Sequence, residues 1–170
     1  MTKLIKIALL AVAMCASTLV VAEGKIAVLN PQQAIINTEL AQTRLKALRA
    51  EGSYSKNRSD LETLAKDHDA AMAQLKKDMA VMSEEQKQAE AKKIQEKRAD
   101  IKHIQTKLQA AEQELLQQVA QELAPKLQKA VSELIESEGI GLLLNQQAAM
   151  HADSGFSITA KVTDKINQTK

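Results

Sequence analysis

The sequence predicts a mainly α-helical protein with a small β body. A long antiparallel helical hairpin, a coiled-coil arm, is inserted between N- and C-terminal strands that form an oligomerisation domain. Three observations predict this. Apolar residues recur at helical spacing through most of the chain. Aromatic residues amount to one Tyr and one Phe with no Trp, too few for an ordinary compact core and suited to narrow helix seams. Strand-like apolar runs stand only near the two ends.

Residues 1–22 have the layout of an export signal, removed on maturation. Lys3 and Lys6 form a basic start, Ile7 to Val21 an apolar run, and Val20-Val21-Ala22 a cleavage site. A retained membrane anchor is the alternative, but the run is at the short end for a span. A lipoprotein signal fits less well, because Met14 precedes Cys15 where a small residue is expected. Loss of Lys3 and Lys6 takes the basic count from 23 to 21, equal to the 21 acidic residues. No global basic field for nucleic acid then remains. Cys15 is the only cysteine, so the exported chain has no disulfide to hold it.

Residues 23–38 open the body. Lys25–Asn30 (KIAVLN) is of strand length and partly β-branched. Asn30 before Pro31 starts a brief helix, PQQAII, since the Asn side chain caps free N–H groups and Pro suits the first helical position. Thr38-Glu39 is a second helix start.

Residues 39–138 form the arm. Leu61, Leu64, His68, Ala71 or Met72, Leu75 and Met79 step by three and four. Ile94, Ile101, Leu108 and Leu115 then recur every heptad, with Ile104 and Ala111 between. Ser83 with Gln86 reads as a capping box, so one helix ends near Met79 and the next begins at Ser83. A connection this short forces an antiparallel pair with its tip near residues 79–83. Leu61 then faces Ile101, His68 faces Ile94 and Tyr54 faces Leu108. Gly52-Ser53 marks a bend or soft point, with a true helix break as the alternative, and Pro125 marks a kink. The apolar stripe broadens after Pro125, so that end packs against more than one helix.

Residues 139–170 close the body. Gly139 stops the helix, Ile140–Asn145 (IGLLLN) is a buried-strand candidate and Gln147–Ala152 a weaker second strand. Thr159 is placed to cap a last short helix showing Val162 and Ile166 on one face. So small a body is marginal alone, which favours oligomerisation.

This order of parts resembles the Skp (OmpH-like) family of periplasmic chaperones for outer-membrane proteins. The resemblance covers the whole mature chain. It rests on KIAVLNPQQAIINTE after a signal, MAVMSEEQ between coiled arms, ESEGIGLLLNQQAAMHAD, and the terminal SITAKVTDKIN. It implies a periplasmic homotrimer whose ends build a shared β body and whose three arms enclose a cavity for an unfolded client. It also implies an ATP-independent holdase that keeps outer-membrane β-barrel proteins from aggregating in transit. The rival expectation is a non-chaperone coiled-coil adaptor of the envelope, or a lipopolysaccharide-binding protein.

No enzyme is expected. His68, His103 and His151 are scattered, and Asp100-x-x-His103 lacks the second motif a di-metal site needs. No catalytic, metal or cofactor-binding residue is assigned, and no cofactor. For client binding the candidates are Met72, Met79, Val81 and Met82, because flexible, polarisable Met suits unselective contacts. Their plainer reading is that they close the coil. Lys92, Lys93, Lys97, Arg98 and Lys102 form a basic stripe that could meet lipopolysaccharide, anionic head groups or acidic client segments. Their plainer reading is antiparallel pairing, because acidic and basic blocks oppose each other in the hairpin.

Overall fold

The computed structural model describes residues 24–169. The expected leader, residues 1–22 with Cys15, lies outside them. Strand β1 (Lys25–Leu29) leads into helix α1 (Pro31–Ile36). Asn30 Oδ1 accepts from the Gln33 N–H at 2.9 Å and Pro31 takes the first helical position. Helix α2 (Glu39–Ala50) starts at Thr38, whose hydroxyl donates to the Ile35 carbonyl at 2.7 Å and accepts from the Ala41 N–H at 3.3 Å. Thr38 is thereby satisfied although fully buried.

The stretch around Gly52 is a full break in the helix. Glu51 is extended, with φ −62° and ψ 137°, and separates α2 from helix α3 (Gly52–Asp78). The Glu51 N–H still bonds the Ala47 and Leu48 carbonyls, and its own carbonyl starts the next helix by accepting from Ser55. At the tip, the Val81 and Met82 N–H groups both bond the Asp78 carbonyl. Ser83 and Gln86 then form the reciprocal capping box, at 2.9 and 3.2 Å, that opens helix α4 (Glu84–Glu138). Its 55 residues span about 80 Å at 1.5 Å per residue. The helix runs through Pro125, which lies on the exposed side where water can reach the carbonyl left without its donor.

Helices α3 and α4 pair antiparallel. Asp67 reaches Lys97 and Tyr54 reaches Glu112, so partners climb on one helix as they descend on the other. Tyr54 lines a hollow shared by Leu61, Leu108 and Glu112, and its hydroxyl donates to Glu112 Oε1 at 2.7 Å. No residue of α3 is fully buried. Tyr54, Leu61, Leu64, His68, Ala71 and Leu75 are half-buried along the seam, while α4 buries only Ile94 and Leu108 on the outer arm. The arm is a seam without an enclosed core.

Gly139 ends α4 with φ 65°, the left-handed region that favours glycine. Strand β2 (Ile140–Asn145) returns beside β1 in a two-stranded parallel sheet, with Ala27 opposite Leu143. The register slips between Lys25 and Ile26, leaving Gly141 as the extra residue. A Cβ built on Gly141 would lie 2.7 Å from the Gly24 Cα, so the two ends touch backbone to backbone.

Two expectations about the C-terminal segment are corrected. Gln147–Ala152 is not a strand: Asn145 accepts from the Gln147 N–H at 2.9 Å and turns the chain into one 3₁₀ turn, away from β2. Nor does Thr159 cap helix α5 (Thr159–Gln168), of which it is the first residue. Its Oγ1 instead accepts from the Asn30 N–H at 3.1 Å and joins the two halves of the body. Thr163 adds a 2.9 Å bond to the Ala34 carbonyl. Around these ties lies the core: Ala27, Leu29, Ala34 and Ile35 from the start, Val119, Leu123, Ala130 and Leu134 from the base of α4, and Ile158, Val162 and Ile166 from the end.

Candidate functional site

The tip exposes apolar surface at the far end of the arm. Met72, Ala73, Leu75, Lys76 and Met79 line a shallow groove of about 350 Å³ on α3. Met72 is 48% exposed and Met79 51%, whereas Ala71 takes the seam position. Val81 crowns the turn at 85% exposure. Met82 is half-buried against the coil. The tip thus brings Met72 and Met79 into one groove, with Val81 beside it on the turn.

The basic residues lie on more than one side of α4. Lys97 faces the partner helix and stands 3.9 Å from Asp67. Lys93 pairs with Glu90 at 2.6 Å and Lys92 lies 4.0 Å from Glu96, both along their own helix. Arg98 and Lys102 are exposed and make no ion pair among the described residues. At about 100° per residue, positions 98 and 102 share a side that 92 and 93 do not.

Nearer the body, Arg49 at the end of α2 and Tyr54 at the start of α3 both donate to Glu112 Oε1, at 2.9 and 2.7 Å. These hydrogen bonds, from Arg49 first and then Tyr54, hold the Glu112 carboxyl below the usual carboxylate range against the opposing effect of burial. The hydrogen bond to Glu112 likewise raises the Tyr54 phenol, helped by burial. Sequence reasoning missed this node. The only available signal was that Arg49, Tyr54 and Glu112 fall within about one and a half helical turns of each other once the hairpin register is drawn.

The body carries a second apolar surface. Ile26 and Leu142 are direct partners across the sheet, 51% and 49% exposed, on its outer face. Leu144 is half-buried on that face, and Phe156 stands exposed in the following turn. On the far side of β1, Ser157 bridges Val28, but β2 has no partner on its outer edge among the described residues.

No group of three or more His, Cys, Asp or Glu side chains could hold a metal ion among the described residues. No helix among them is long and apolar enough to cross a membrane. His68 is half-buried in the seam beside Asp69, and His103 and His151 are exposed.

The arrangement defines a class: a body built from both chain ends, bearing one helical-hairpin arm, with apolar surface exposed at each extremity. The family model for outer membrane protein (OmpH-like) matches residues 25–166, and the chain belongs to that family. A Skp-like protein of Pseudomonas aeruginosa is 26% identical over 170 residues, covering 100% of each chain. A crystal structure of an OmpH-like protein from Caulobacter crescentus covers 85% of this chain and 84% of that one, at 17% identity and a TM-score of 0.41.

Proposed function

We propose that the chain is an ATP-independent holdase of the periplasm that binds unfolded outer-membrane β-barrel proteins and prevents their aggregation in transit. The observation that carries this reading is the arm: a two-helix seam with no fully buried residue on α3, ending in an exposed groove of Met72 and Met79 beside Val81. Such a surface makes many weak apolar contacts and selects poorly among partners. Unfolded barrel strands are amphipathic and pair edge to edge in water, so dispersed weak contacts at several arms suffice to keep them apart. Release needs no nucleotide where the folded barrel is much more stable than the held chain.

Assembly as a homotrimer is part of the proposal. The outer face of the sheet, Ile26 with Leu142, and the open edge of β2 support it, because a two-stranded sheet is marginal by itself. The family implies a periplasmic location, and the expected leader accords with it. Arg98 and Lys102, exposed and without ion pairs among the described residues, are the members of the basic group best placed to meet lipopolysaccharide, anionic head groups or acidic client segments. Lys92, Lys93 and Lys97 would first have to leave Glu96, Glu90 and Asp67.

The test is to dilute a urea-denatured porin into buffer with and without excess mature protein and to follow light scattering. Suppressed scattering without ATP is the expected result. Unchanged aggregation at several-fold excess refutes the holdase reading and leaves an envelope adaptor.

A further inference from the structure

The arm has one level at which a single helix carries it. Glu51 interrupts α2 and α3, while α4 continues past the same level through Glu112. The backbone hydrogen bonds of the first side stop at Glu51 and restart from it. A groove of about 480 Å³ opens beside the break, lined by Arg44, Ala47, Leu48, Ala50, Glu51 and Leu115, so packing there leaves room for movement. Bending at this level would be limited mainly by the stiffness of α4, were it not for one side chain. Glu112 Oε1 accepts from Arg49, before the break, and from Tyr54, after it.

We infer that Glu112 is a staple that sets how far the arm bends at the Glu51 break. The carboxylate ties the end of α2, the start of α3 and the unbroken α4 to one point. Its side chain is 29% exposed, so water competes only partly for the two bonds. The charged group paired with it is Arg49 from α2, with the Tyr54 phenol from α3 as its second donor, and Arg58 lines the same hollow. With the staple in place, swinging the outer arm must stretch one of two charge-assisted hydrogen bonds. Without it, α2 and α3 can part at Glu51 and the arm bends about α4. The distance between tip and body, and so the reach of the tip groove, would then depend on a residue far from either.

Spin labels on Ala99→Cys and Ser132→Cys, both exposed on α4 and on opposite sides of the break level, read the bend. Residues 23–170 hold no native cysteine, so the labels go on the mature protein, and dilution of doubly labelled chains with unlabelled ones isolates the intrachain pair. A straight helix separates the labelled positions by about 50 Å, and a bend of about 40° midway shortens that by about 3 Å. The Glu112→Ala variant is expected to broaden the distribution and move it to shorter distances, with helicity unchanged. Gln113→Ala, one residue away and exposed, is expected to leave it alone. An unchanged distribution in Glu112→Ala overturns the inference, as does equal broadening in Gln113→Ala. If Glu112→Ala loses helicity, Tyr54→Phe and Arg49→Met each remove one leg of the staple, and unchanged distributions in both overturn it equally.

Discussion

Replacing Ile26 and Leu142 together by Ser tests the proposed assembly at its most exposed apolar pair. The two residues are partners across the sheet and about half exposed, at 51% and 49%. Full burial of such a side chain contributes about 1.5–3 kcal/mol, so covering the remaining half contributes about 1 kcal/mol each. The double substitution should therefore weaken assembly by about 2 kcal/mol per chain, on the order of 30-fold for each chain's share of the association constant. The isolated protomer also loses the halves already buried, so its own melting must be followed separately. Mass by light scattering across a dilution series reads assembly directly. The dependence of the melting midpoint on protein concentration reads it independently. The expected result is dissociation of the variant at concentrations where the wild type holds together. A variant with wild-type mass at every dilution, or a wild type that is already monomeric, refutes the reasoning.

Two glycines should respond oppositely to Ala. Gly141→Ala brings a Cβ within 2.7 Å of the Gly24 backbone and should cost about 1–3 kcal/mol in thermal unfolding, whereas Gly52→Ala meets nothing within 4 Å and should stabilise by about 0.5 kcal/mol. Glu112 has a lower pKa folded than unfolded, so its contribution is complete above the ordinary carboxylate range and is lost as pH falls through the lowered value. Glu112→Gln, which removes the charge paired with Arg49, should consequently lose less of its melting temperature on acidification than the wild type. Met79→Ser with Met82→Ser should weaken client holding with no loss of helicity by circular dichroism, and unchanged client affinity would exclude the tip.

The parts of the fold legible in the sequence are those whose causes are local. Asn30, Thr38 and Ser83 cap helices because each side chain bonds an N–H three residues on, and that spacing is visible in the chain. The seam is legible for the same reason, since helical period and heptads are properties of neighbours. Thr159 looked equally like a cap but bonds Asn30, a partner 129 positions away that no local pattern announces. The same holds for the parallel pairing of β1 with β2 and for Glu112, whose partners are 58 and 63 positions off. Gln147–Ala152 had strand-like composition, yet a strand needs a neighbour to pair with, and Asn145 turns the chain before it can pair with β2. At the tip the sequence identified the apolar residues but not their sides. One step of helix phase separates Ala71 in the seam from Met72 in the groove.

The pairing of Ala27 with Leu143 also predicts an order of events in folding. The strands are the two ends of nearly the whole chain, and closing so long a loop before anything else has formed costs entropy that no early contact returns. Zipping the hairpin from its tip removes that cost by local steps, because each turn of the seam brings the next pair closer. Pulse-labelled hydrogen exchange during refolding should accordingly protect the outer arm before the sheet. Until then Ile26, Ala27, Val28 and Leu29 form an unpaired apolar strand in water, so for the interval of its own folding the protein carries the same hazard we propose it suppresses in others.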